Sequence, residues 1–319
     1  MRIVGRFRAR PSATASSAAR RFLSITAALL ALAGCGQHSR AGSGSSGDFR
    51  GPIAIGNGRH LYLECRGKGG PTVILESGYH NSSDLWNQAD VTAPAVGPAV
   101  VSALAGSHRV CAYDRPGTLR ASDPLTITDR SSPVAMPRTA ADVVSDLHAL
   151  LAAAHLPGPY LLVGHSLGGL FARLYAQTYP DQVCGAVFVD AFAAEIPSAL
   201  GPDWPAYRQQ LDGPPPQFAD APAFEEIDID KSVAQVGTAA FPAVPIAVLA
   251  RTEPFLIPPT ATAEQGEKLE RAWADGASAL AALRPQTPRI VATSSDHFIQ
   301  IHQPDLVAAA VGLVSARSR

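Results

Sequence analysis

Charge of either sign is scarce in this 319-residue chain: 17% of residues are charged, and 26 Lys and Arg against 27 Asp and Glu leave a formal net charge of -1. No basic excess marks a nucleic-acid partner, and no acidic run marks a solvating tail. Cysteine is also sparse, 4 in all, with no Cys-x-x-Cys pair among them and no paired histidines at helical spacing that would hold a metal. A phosphate-cradling loop and a dinucleotide fingerprint are missing as well, so no cofactor is expected. No apolar run is long enough to span a bilayer comfortably.

Apolar and turn-forming residues make up for these shortages. The chain is 46% hydrophobic and holds 27 Pro and 27 Gly, ample for a sizeable core interrupted by many turns. The N-terminus has its own logic. Arg2, Arg6, Arg8, Arg10, Arg20 and Arg21 precede a mostly apolar stretch from Phe22 to Ala33, which closes on Leu32-Ala33-Gly34-Cys35. Basic region, short apolar region and small residues at the cut are the layout of a secretory signal. The last four residues resemble a bacterial lipobox, in which the cysteine is lipidated and becomes the first mature residue. The alternatives are an ordinary signal peptide that contains Cys35 and a retained anchor. Residues 1–35 are therefore expected to be a lipoprotein-type signal peptide, and 36–50, dominated by Ser and Gly, a flexible tether. The folded domain is expected at 51–319, in a protein exported to the cell envelope and tethered to a membrane through Cys35, or else secreted.

Beyond the tether, strands alternate with helices. His60–Cys65, Thr72–Glu76, Val110–Asp114, Tyr160–Val163, Cys184–Val189, Pro245–Ala250 and Arg289–Ala292 read as strands, several of them continuous apolar runs of the kind buried on both faces of a parallel sheet. Apolar residues at Val143, Val144, Leu147, Leu150 and Leu151 predict a helix over 139–155, with Thr139 as N-cap. Further helices are expected at 167–179, 265–283 and 304–314. This rhythm implies an α/β fold with a doubly wound, mostly parallel sheet. Residues 191–243 interrupt it; rich in Pro and Asp, with Trp204, Tyr207, Phe218, Phe224 and Phe241, they read as an ordered cap.

Gly164-His165-Ser166-Leu167-Gly168 lies between an expected strand and an expected helix. There the flanking glycines permit a sharp turn that projects the serine from the sheet, so Ser166 is the candidate nucleophile. The Leu167 N–H opens the following helix and points at developing negative charge. A serine hydroxyl needs a base, and His297, on the loop after the last strand, stands in the chain order this architecture uses. Asp190, at the end of the strand after the nucleophile helix, is the chosen orienting acid. Glu253, after the next strand, is the alternative, although Arg251 nearby could simply pair with it.

The sequence resembles the α/β-hydrolase superfamily over about residues 52–315. The resemblance is carried by Leu75-Glu76-Ser77-Gly78, Tyr113-Asp114-Arg115-Pro116-Gly117, the Ser166 elbow and His297-Phe298-Ile299-Gln300. It implies an eight-stranded-type sheet with a cap, and a second oxyanion N–H from Tyr79, the residue after Gly78. Where the family commonly has His-Gly, this chain has Ser77-Gly78. The family's sheet order would make the strands of Cys65 and Cys111 neighbours, which implies a disulfide between them. Asp114 and Arg115 read as a structural turn. The resemblance also implies a small-molecule substrate and, by default, esterase chemistry. An aminopeptidase or a carbon–carbon bond hydrolase using the same residues is a rival, with Glu225, Glu226, Asp228 and Asp230 as an acidic pocket for an amine. A non-catalytic surface-binding module is another.

Overall fold

The structure, a computed structural model, describes residues 47–90, 97–237, 239–257 and 261–318. The expected signal peptide, Cys35 and most of the expected tether lie outside the described residues. Strands β1 (Phe49–Gly56) and β2 (Arg59–Arg66) form a hairpin. It turns on Asn57 and Gly58, whose φ values of 53° and 70° suit the tight turns that match strand twist. The expected tether therefore ends too late: Phe49 already pairs with Cys65 and Arg50 with Glu64. β1 is an edge strand with Pro52 in it, alternately half-buried and exposed. Phe49, Ile53 and Ile55 pack half-buried against the core, but Gly51, Pro52 and Gly56 dilute the strand pattern in the sequence.

The chain continues through β3 (Thr72–Glu76), α1 (Val100–Leu104) and β4 (Val110–Tyr113), then a two-stranded ribbon of β5 (Leu119–Arg120) and β6 (Thr126–Ile127). Next come α2 (Ala140–Ala153), β7 (Tyr160–His165), α3 (Leu167–Thr178) and β8 (Val183–Val189). Thr139 caps α2 in a reciprocal box with Asp142. Residues 191–243 contain α4 (Ile196–Leu200), α5 (Trp204–Asp212) and α6 (Ile229–Val236). β9 (Ile246–Arg251), α7 (Ala263–Ala282), β10 (Arg289–Ala292), α8 (Ile299–His302) and α9 (Pro304–Arg317) complete the fold.

The main sheet has 8 strands in the order β1-β2-β4-β3-β7-β8-β9-β10. It is parallel from β4 to β10 and antiparallel at the β1–β2 and β2–β4 pairs. Alternating strand residues feed two apolar layers. Ile74, Leu162 and Phe188 face α2, α3 and α7 on one side; Val73, Leu161 and Val187 face α1 and α9 on the other. Continuous apolar strands are what a sheet covered on both faces requires. Cys65 and Cys111 stand directly opposite each other across β2 and β4 and are joined by a disulfide. Among the described residues, no helix is long and apolar enough to cross a membrane.

Candidate active site

The turn from β7 into α3 is sharp enough to force Ser166 into an unusual conformation, with φ 51° and ψ −129°. Such strain persists only when the surroundings over-determine it. Here Ser166 N–H donates to Val189, while its own carbonyl accepts from Gly169 and Phe192. A Cβ on Gly168 would come within 2.5 Å of the Glu76 and Ser77 carbonyl oxygens, so the elbow presses against the end of β3. A Cβ on Gly78 would lie 3.1 Å from Ser166 Cβ, which places the Gly78 turn beside the serine. Among the described residues, neither the Tyr79 nor the Leu167 backbone N–H has a protein acceptor.

The loop carrying Gly78 and Tyr79 is held by a buried ion cluster. Arg115, only 2% exposed, donates to Glu76 at 2.7 Å, to Glu225 at 2.7 and 3.1 Å, and to the Ser77 and Gly78 carbonyls at 2.8 and 2.7 Å. Tyr113 completes the shell of Glu76. Glu225 also accepts the His80 N–H at 2.7 Å. Tyr79 Oη donates to Asp212 and accepts the Ile227 N–H, and burial holds its phenol above the ordinary ionisation range. Segment 191–243 is thus bolted to this loop. Of the four acids that the rival amine reading would use, Glu225 is consumed by Arg115, Asp228 caps α6 and Asp230 is engaged by Trp204 and Arg208, while Glu226 is exposed. Arg115 is also more than a turn residue, because its guanidinium reaches back to β3. Asp114 sits in a separate cluster with Ser83, Thr128 and Arg130.

On the other flank, Asp190 follows β8 with φ 38° and is 3% exposed. His297 Nδ1 lies 2.6 Å from Asp190 Oδ2. An ionised carboxylate only accepts, so Nδ1 carries the proton and Nε2 keeps a lone pair. Phe255, Trp273 and Phe298 surround the imidazole at ring separations of 5.1, 5.7 and 5.5 Å. Glu253 is exposed and is not brought to His297; its carbonyl accepts from Arg251. His165 donates from Nε2 to the His297 carbonyl at 2.9 Å, with its ring 4.6 Å from that of His297. Burial, reinforced by His297, keeps it neutral by lowering its pKa well below the usual imidazole value. Its place within the elbow motif was the available signal. A mostly apolar cleft of about 290 Å³ opens between His80 and Phe298, lined also by Leu85, Leu119 and Ile301.

The family model for the alpha/beta hydrolase fold matches residues 71–310. The chain belongs to the α/β-hydrolase family. Among curated relatives of this α/β-hydrolase, YqjL of Bacillus subtilis is 24% identical over 77% of this chain and 84% of its own length. A protein named "Probable transporter efuK" of Hormonema carpetanum is 32% identical over 44% of this chain, but the match spans only 18% of that protein. The solved structure of a Pseudomonas aeruginosa PAO1 protein, described as a probable hydrolytic enzyme, aligns with TM-score 0.55 at 21% identity, covering 84% of this chain and 94% of that one. Identity this low shows the fold alone.

Proposed function

We propose that this hydrolase cleaves a carboxylic ester of a small or medium apolar substrate through an acyl-enzyme on Ser166. The observation that carries this reading is the 2.6 Å bond from His297 to Asp190, on a histidine packed beside the strained Ser166 elbow. Ser166 Oγ attacks the carbonyl carbon and gives its proton to His297 Nε2. Asp190 holds the imidazole in that tautomer and stabilises its charged form. The N–H groups of Tyr79 and Leu167 take the oxyanion. Collapse expels the alkoxide with the proton from His297, and water then releases the acid. The Ser166–His297 hydrogen bond is not formed in this structure; in such sites it tightens when substrate binds.

An ester is favoured over an amide because an alkoxide leaves more readily than an amine anion, and because Glu225 and Asp212, the acids that reach the Tyr79 loop, are already paired. The apolar cleft beside His80 and Phe298 suits an apolar acyl or alcohol group. The basic and apolar N-terminus supports export with a lipid anchor at Cys35, which a Cys35→Ser variant released from the membrane fraction would test. For the chemistry, a fluorophosphonate probe should label the wild type and leave Ser166→Ala unlabelled. An unlabelled wild type would remove the reading.

A further inference from the structure

Arg251, the last residue of β9, extends a guanidinium to the same carboxylate oxygen that His297 uses. Its Nε lies 3.1 Å from Asp190 Oδ2, and both side chains are nearly buried, at 4% and 2% exposure. The guanidinium is fixed on its other sides. It bonds Glu270 of α7 at 2.9 Å and the Glu253 carbonyl, and lies 3.7 Å from the Phe255 ring centroid. Phe255 N–H in turn donates to Glu270. These contacts hold the cation on Asp190 from several sides.

We propose that Arg251 is a positioning residue that shares Asp190 with His297, fixing the carboxylate beside the imidazole and offsetting part of its charge. The inference rests on the serine-hydrolase reading above. A carboxylate stabilises the imidazolium beside it, and a guanidinium on the same oxygen cancels part of that field. The carboxylate therefore holds the protonated imidazole less strongly than it would without Arg251 on the same oxygen. Glu270 acts from the far side of Arg251 and limits the effect.

The other groups facing this pair act in known senses. His165, below the imidazole, is kept neutral by burial and by His297. Tyr207 of α5 also stays neutral, because burial raises its pKa, opposed by Arg251 and reinforced by Asp190 and Glu270. Asp296 and His302 flank the loop. Burial disfavours charge on His302, but Asp90 and Asp296 outweigh it and raise its pKa. None of these can substitute for the Arg251 cation on Asp190.

The test is the pH dependence of the fluorophosphonate labelling rate on the full chain, with Ser166→Ala as the blank. In Arg251→Gln the midpoint of the acidic limb should rise by about one pH unit, a roughly tenfold slower rate on the acid side. Arg251→Lys should keep most of the wild-type midpoint. Glu270→Gln, which removes the opposing carboxylate, should move the midpoint down, and it decides the matter if Arg251→Gln does not fold. Midpoints unmoved in both Arg251→Gln and Glu270→Gln, with the wild type labelled, would overturn the role of Arg251 alone. A wild type that fails to label would overturn the serine-hydrolase reading and this inference together.

Discussion

Arg115 and Arg251 flank the candidate site, and their surroundings differ in one decisive respect. Arg115 is enclosed by Glu76 and Glu225, themselves 3% and 1% exposed, and by two main-chain carbonyls. Arg251 ends at Glu270, whose side chain is 36% exposed. The first cluster is closed and dry, so removing a member strands charges with no solvent to receive them. The second is open on one side, and water can absorb part of a change there. The flank of the proposed oxyanion loop is thus closed to water, whereas the flank of the proposed base leaves its charge balance adjustable.

The sharpest way to break this contrast is through the carboxylate at its adjustable end. Asp190→Asn should lower turnover by about 10⁴-fold, because the amide no longer enforces the Nδ1–H tautomer. Glu253→Gln should change it less than about twofold, since its exposed side chain does not meet His297. Steady-state rates on a chromogenic ester compare the two, and the reverse ranking would transfer the acid role to Glu253.

Next in size is the closed cluster. Arg115→Met should cost about 3–5 kcal/mol in urea unfolding, because two buried carboxylates lose their partner. Arg208→Ala breaks a pair whose side chains are 41% and 51% exposed and should cost under about 1 kcal/mol. Similar losses in both would mean that the Arg115 cluster is wetter than its burial indicates.

The smallest effect is the pH dependence of stability. His165 has its folded pKa depressed, so its contribution is complete above the unfolded imidazole value of about 6.5. It is lost as pH falls towards the folded value, by at most about 1.4 kcal/mol per pH unit. His165→Gln should flatten the acid side of a stability-against-pH curve measured by urea melts. His302 works in the opposite sense: its folded pKa is raised, so its stabilisation is present below about pH 6.5 and fades as pH rises through the folded value.

Local patterns made much of the fold legible. β3 and β10 have the bounds expected around their β-branched residues, and Thr139 caps α2 as its side chain allows. β1 escaped because Gly51, Pro52 and Gly56 break up the alternation of Phe49, Ile53 and Ile55 that packs on the core. Within the site, Ser166 and His297 announced themselves through a motif and a chain order. Arg115, His165, Glu225 and Arg251 did not, because each acts on a group distant in the sequence: Glu225 lies 110 residues from Arg115, and His165 lies 132 residues from His297. A buried arginine and a turn arginine have the same letter.

By itself the sequence determined the apolar strands, the helix caps and the strained elbow at Ser166, because these follow from side-chain shape and from contacts a few residues apart. The choice between Asp190 and Glu253 as neighbour of His297, the pairing of Cys65 with Cys111 and the placing of two guanidiniums on opposite flanks were left to the tertiary structure. Those arrangements depend on which strands lie side by side and on how much water reaches each charge, and neither is fixed until the whole sheet is assembled.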